Sequence, residues 1–266
     1  MNSYRTVWIS DVHLGTRDCR VQELETFLAR LDCDHLFLVG DVVDVWSLKR
    51  RWYWPESHNA IVQRILKCDL GGARVTFVPG NHDEMFRAYD GMDFGGVAIR
   101  NEVVHETADG KKVLVIHGDD FDAMVTHPWL VRFLGDQGYY VLLGLNRMFN
   151  KARRRLNLPY RSLATWLKSR VPTARKYVEA VESYVARLAR DRGMDAVVCG
   201  HIHRPAAREI DGVAYLNCGD WVESGTAIVE HWDGTLALID ATAGAPKLHA
   251  VPSEPVERPE PEAVVA

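Results

Sequence analysis

Apolar and polar positions alternate along the first half of the chain in blocks. Arg5–Ser10 is a short apolar run that predicts a strand, and it stops at Asp11. Val21–Leu31 places Leu24, Phe27, Leu28 and Leu31 at helical spacing, which predicts an amphipathic helix. His35–Val39 is a second apolar strand ending at Gly40-Asp41, Asn59–Leu70 is helical, and Arg74–Val78 is a third strand ending at Pro79-Gly80-Asn81. Strand, helix and strand in succession predict a parallel sheet with covering helices. Val97 to His117 is strand-like with a turn at Asp109-Gly110. Asp122 to Arg192 is mostly helical in pattern, with Tyr177, Val178, Val181, Val185 and Leu188 on one stripe, and strand character returns from Ala196–Cys199 to Asp240. The expected organisation is therefore a core of 1–121 and 193–242, interrupted by a helical cap over 122–192. A Pro- and Glu-rich tail over 243–266 is expected to be disordered.

Five short motifs follow these strands: Asp11-Val12-His13, Gly40-Asp41-Val42-Val43-Asp44, Gly80-Asn81-His82-Asp83, His117-Gly118-Asp119 and Gly200-His201-Ile202-His203. Loops after the carboxyl ends of parallel strands gather on one edge, where ligands bind. Together the motifs offer seven oxygen or imidazole donors: Asp11, His13, Asp41, Asn81, His117, His201 and His203. In an extended segment, Asp-x-His and His-x-His each put two donors on one side. No Cys falls in the set, and mixed carboxylate, amide and imidazole donors suit catalytic Mn²⁺, Fe²⁺ or Zn²⁺. A pair of such cations needs a bridging anion, and Asp41 is the candidate. His82 is left over as a catalytic group, either stabilising a transition-state phosphate or protonating a leaving oxygen, with Asn81 beside it and Asp83 placed to orient its ring. Asp44 and Asp83 read equally well as backbone-bonding loop residues, and Asp119, Asp120 and Asp122 as caps of the next helix.

Composition narrows the setting. A chain of 266 residues with 47% hydrophobic and 26% charged residues is ordinary globular protein. A formal charge of -4 gives no reason to expect a nucleic-acid partner. The five Cys are irregularly spaced, without a CxxC pair, which fits a reducing, cytoplasmic compartment. Arg5 and Asp11 break the early apolar run, so no signal peptide is expected, and no stretch is apolar enough to span a bilayer.

In order and spacing, the five blocks resemble the calcineurin-like metallophosphoesterase superfamily. The resemblance spans Asp11 to His203 and implies an α/β fold, a four-layer α/β/β/α sandwich. It also implies one metal on Asp11, His13, Asp41 and His203, and a second on Asp41, Asn81, His117 and His201. Within the superfamily, the Ser10–Gly15 block, the lengths between blocks and the insert after His117 look most like UDP-2,3-diacylglucosamine hydrolases of lipid A biosynthesis. That likeness implies cleavage of the diphosphate of a UDP-linked glycolipid at the inner face of the cytoplasmic membrane, with Mn²⁺ typical. One position departs from that branch: Arg follows the metal-binding Asn there, and His82 stands here, as in the wider superfamily.

The cap carries Lys151-Ala152-Arg153-Arg154-Arg155, with Arg161, Lys168 and Trp129 nearby. These are candidates for a clamp on the substrate's phosphates and lipid, or for docking on anionic headgroups; a solvated helix face is the plain reading. Trp52-Tyr53-Trp54 beside Lys49-Arg50-Arg51 is a candidate to flank the site mouth and stack on a base. Two other functions remain open: a phosphodiesterase or phosphatase acting on another lipid, nucleotide or sugar phosphate, and a non-catalytic scaffold with the same fold.

Overall fold

The structure is a computed structural model that describes residues 2–124, 172–242 and 248–250, together with 148, 149, 153 and 155. Strands β1 (Asn2–Ile9), β2 (Leu31–Val39), β3 (Arg74–Val78) and β5 (Val97–Ile99) run parallel, with β4 (Asp93–Phe94) antiparallel at their edge. On the other side of β1 lie β11 (Thr226–Glu230), β12 (Leu236–Asp240) and β13 (Leu248–Ala250), all antiparallel, giving the order β13-β12-β11-β1-β2-β3-β5-β4. A second sheet has the order β6-β7-β8-β10-β9, from β6 (Val103–Glu106), β7 (Lys112–Val115), β8 (Ala196–Cys199), β9 (Ala206–Ile210) and β10 (Val213–Asn217).

Alternation along the strands builds three apolar layers. Val7, Ile9, Leu36, Leu38, Val75 and Phe77 face outward onto α1 (Val21–Ala29) and α3 (Glu56–Leu70). Trp8, Phe37, Val39 and Val78 face inward and meet Val113, Val115, Ala196, Val198 and Leu216 of the second sheet. Leu114, Val197 and Tyr215 leave that sheet on its far side, against Val181, Val185 and Ala189 of α4 (Pro172–Asp191). The result is an α/β/β/α sandwich. Its central strands, such as β3 and β8, read as nearly unbroken apolar runs because both of their faces are buried.

Leu31, expected to close the first helix, instead opens β2, and the helix stops at Ala29. Leu248–Ala250 forms an edge strand on β12 where a structureless tail was expected; Leu248 pairs with Ile239. The rest of 243–266, and most of the expected cap, lie outside the described residues. No helix among the described residues is long and apolar enough to cross a membrane.

The inter-sheet layer also holds a polar cluster: His35 pairs with Thr76 Oγ1 at 2.9 Å, and Glu230 takes His105 at 2.8 Å and Arg5 at 2.5 Å. Burial, reinforced by Arg74, His105 and Arg5, lowers the His35 imidazole to about 3. An unfolded chain protonates this ring near 6.5. Between those values the unfolded state binds more protons, so stability present above pH 6.5 drains as pH falls, with a slope of at most about 1.4 kcal/mol per pH unit from this group. His35→Phe should flatten that loss in urea titrations at pH 7 and pH 5; equal losses in parent and variant would rule His35 out as the cause.

Candidate metal centre

The five motifs converge where the carboxyl ends of β1, β2 and β3 meet those of β7 and β8. Among the described residues six non-glycine positions have positive φ, and five of them are Asp11 (51°), His13 (53°), Asp41 (53°), His201 (68°) and His203 (52°). The left-handed region costs an L residue roughly 1–2 kcal/mol. Five such costs gathered at one sheet edge mark a backbone bent to aim side chains. This corrects the extended alternation expected for Asp-x-His and His-x-His: both pairs converge through left-handed turns.

Three glycines make the close approach possible. A Cβ on Gly40 would fall 2.1 Å from His117 Nδ1, one on Gly80 2.4 Å from Asp41 Oδ1, and one on Gly200 2.4 Å from Asp11 Oδ2.

Each buried carboxylate has one oxygen tied down and one turned inward. Asp11 Oδ2 accepts the His201 backbone N–H at 3.0 Å, and Oδ1 lies 3.1 Å from His203 Nε2 and 4.0 Å from His13 Nε2. Asp41 Oδ1 accepts the His82 N–H at 2.8 Å, and Oδ2 lies 3.4 Å from His117 Nε2. His117 Nδ1 donates to the Val39 carbonyl at 3.0 Å, which turns its Nε2 toward the centre, 3.3 Å from Asn81 Oδ1. His13 Nε2 and His203 Nε2 stand 3.2 Å apart, and the His201 ring lies 5.4 Å from that of His117. Three overlapping groups place ligand atoms within 4.8 Å of one another: Asp11, His13 and His203; His13, Asp41 and His82; Asp11, Asp41 and His117. Burial alone would raise the Asp41 carboxyl, yet His117, His82 and His13 drive it well below the usual range. Burial likewise opposes charge on His13, but Asp44 and the other carboxylates push it up to about 9. Converging imidazole and carboxylate donors around buried negative charge fit divalent cations.

Asp83, expected to orient the His82 ring, serves the backbone instead, and Asp44 faces the ring. Asp83 accepts the backbone N–H groups of Asp41 (3.3 Å), Val42 (2.8 Å), Val43 (3.2 Å) and Gly80 (2.7 Å), and so clamps two motif loops together without touching the His82 ring. Burial and the Asp41 charge raise its carboxyl to about 6. It is Asp44 that faces His82, with Oδ1 3.1 Å from Nδ1, close enough for charge but out of line for a good hydrogen bond. Its Oδ2 lies 3.3 Å from His13 Nδ1, and its Oδ1 caps α2 (Val45–Arg50) at Ser47 N. Trp46 covers the other side of His82, with ring centroids 4.3 Å apart. Asp119, expected as a helix cap, is held by Arg87 at 2.7 Å and 2.8 Å.

Residues after β10 escaped the sequence reading. Fully buried Asn217 donates Nδ2 to the Gly200 carbonyl at 2.7 Å and accepts the Gly219 N–H at 2.9 Å. Trp221 N–H reaches the Asp11 carbonyl at 3.0 Å, and Ser10 Oγ donates to the Gly219 carbonyl at 3.1 Å. No motif flags such a brace, because it acts through backbone atoms. Of the expected cap contacts, Arg153 lies over the Phe149 ring at 5.4 Å and Arg155 is exposed; Arg154, Arg161, Lys168 and Trp129 lie outside the described residues.

A family model described as calcineurin-like phosphoesterase matches residues 4–205. The chain belongs to that family. It is a phosphoesterase hydrolase, and the family implies divalent metal ions. Curated relatives named UDP-2,3-diacylglucosamine hydrolase include those of Aeromonas salmonicida (27% identical, 84% of this chain and 89% of the relative), Pseudomonas aeruginosa (26%, 84% and 93%) and Neisseria meningitidis serogroup B (26%, 80% and 88%). Among solved structures, Vps29 from Entamoeba histolytica matches at 14% identity with a TM-score of 0.45, over 92% of this chain and 97% of that one.

Asn217→Ala should lower bound metal per chain, measured on purified protein, while Asn217→Asp, which keeps the acceptor for Gly219, should lower it less. Unchanged metal content in both variants would show that the brace does not position the ligands.

Proposed function

We propose that this protein hydrolyses the diphosphate of a UDP-linked, diacylated glucosamine, releasing UMP. The observation that carries the reading is the similarity to hydrolases of that name over 80–84% of this chain, together with the convergent donor cluster. Asp11, His13, Asp41 and His203 would hold one cation, and Asp41, Asn81, His117 and His201 the other, with Mn²⁺ the first choice and Fe²⁺ or Zn²⁺ served by the same donors. When bound, two such ions would supply Lewis acidity and lower the pKa of a water for attack at phosphorus.

This chain's residues do the rest. Asp41, fixed by the His82 N–H, would offer its other oxygen as the anion shared by the two ions. His82, wedged between Trp46 and Asp44 with its side chain 18% exposed, is placed to meet a phosphate oxygen or the leaving group. Asp83 keeps the loops of Asp41 and Asn81 in register. Arg153, Arg154, Arg155, Arg161, Lys168 and Trp129 remain the proposed substrate clamp. The proposed setting is cytoplasmic, peripheral to the inner face of the membrane that holds such a lipid.

The Mn²⁺-loaded protein should release UMP from UDP-2,3-diacylglucosamine far faster than it cleaves bis(p-nitrophenyl) phosphate; comparable rates would sink the lipid substrate. His82→Ala should cost on the order of 10²–10⁴-fold in kcat. A second reading, a phosphodiesterase or phosphatase acting on another lipid, nucleotide or sugar phosphate, is favoured by His82 itself. His82→Arg separates the two across a substrate panel: retained UMP release supports the lipid reading, and loss of all turnover supports the second. A decayed scaffold would bind no metal and lose nothing on Asp41→Ala.

A further inference from the structure

A cationic and aromatic rim lies next to the centre and takes no part in it. The segment 45–55 reads Val-Trp-Ser-Leu-Lys-Arg-Arg-Trp-Tyr-Trp-Pro, with three cations and no acid, in a chain of net charge -4. It leaves the metal-loop residue Asp44 directly as α2, whose Trp46 covers His82. Lys49 and Arg50 follow Trp46 at i+3 and i+4, so they share its side of the helix.

Beyond them the segment is pinned. Trp54 Nε1 donates to Asn59 Oδ1 at 2.8 Å, and Tyr53 and Trp54 meet the His58 ring edge-on at 5.7 Å and 5.4 Å. His58, 1% exposed, accepts the Gly15 N–H at 3.1 Å, two residues after the metal-loop His13. Arg17, further along that loop, sits over Tyr53 at 4.8 Å. Tyr53 and Trp54 are half-buried and held in place by these contacts. Trp52, just before them, is turned out, 74% exposed, in the company of exposed Arg17, Lys49, Arg50 and Arg51. Among the described residues, no carboxylate pairs with Lys49 or Arg51.

We propose that Arg17, Lys49, Arg50, Arg51 and Trp52 dock the mouth of the metal centre onto a bilayer bearing anionic phosphate headgroups. Clustered cations are drawn to an anionic surface, and a Trp ring prefers the headgroup boundary, apolar body inward and N–H outward. In sequence the rim is separate from the basic stretch 151–155. It deepens the lipid-linked reading by saying which edge of the core meets the membrane, but it stands on its own charge and exposure.

The test is flotation of the full chain with vesicles, without turnover, so its outcome is independent of the hydrolase assay. Binding should appear with phosphatidylglycerol-containing vesicles and not with pure phosphatidylcholine. It should fade near ~1 M salt, where the screening length is about 3 Å. Lys49→Ser/Arg50→Ser/Arg51→Ser should weaken partitioning on the order of 100-fold, from about one tenfold step per 1.4 kcal/mol and about 1 kcal/mol per cation. Trp52→Ser should remove quenching of tryptophan fluorescence by brominated lipid. Should the triple variant fail to fold, Arg51→Glu and Trp52→Ser, both at exposed positions, carry the test. Absence of binding to anionic vesicles overturns the proposal, as does a variant that binds like its parent. Release of the protein by inorganic phosphate or UMP as fully as by salt would make the rim a soluble-anion subsite and also overturn it.

Discussion

Two carboxylates, Asp11 and Asp41, are buried side by side at the seam between the sheets, and the structure around them answers to that charge. Neither is more than 1% exposed. An isolated buried carboxylate is costly unless paired and hydrogen-bonded. Each therefore spends one oxygen on a backbone N–H from another motif loop and turns the other to a cluster of imidazoles. Those loops have to reach the seam from different strands. The left-handed turns, and the glycines that bring Gly40 and Gly80 against His117 and Asp41, follow from that demand.

The sandwich makes the demand affordable. Strands buried on both faces give a rigid edge from which short loops project with little freedom. Asp83 ties the loops after β2 and β3 through four backbone N–H groups, and Arg87 ties the loop after β3 to the one after β7. From behind, Asn217 and Trp221 hold the loops of His201 and Asp11. Stiffness here comes from side chain to backbone bonds, which substitute for the regular hydrogen bonding that loops lack.

Much of this was legible in the chain. The apolar runs ending in Asp11, Asp41, Asn81, His117 and His201 already locate the strands and their loops, because hydrophobic periodicity and polar stops are local properties. The boundary at Leu31 was not legible: an apolar residue after an amphipathic helix serves a following strand equally well. Short edge strands such as β13 carry too little pattern to stand out from a Pro-rich tail. Asn217 was invisible for another reason, since its work is done on a carbonyl and an N–H, and any sequence around Gly200 supplies those.

The division between Asp44 and Asp83 follows from reach. Both lie three residues or fewer from a candidate ligand, and adjacency in sequence favours Asp83 as the partner of His82. The chain turns back after Asn81, however, and carries the Asp83 carboxylate under the loop of residues 41–43. Asp44, from the other motif, then stands between the rings of His13 and His82, with Nδ1 of each within 3.3 Å. One carboxylate so placed couples a candidate metal-ligand imidazole to the candidate catalytic one and also caps α2. That helix carries Trp46 over His82 and the cationic rim beyond it, so the orientation of His82, the N-cap of α2 and the surface next to the mouth depend on the same side chain.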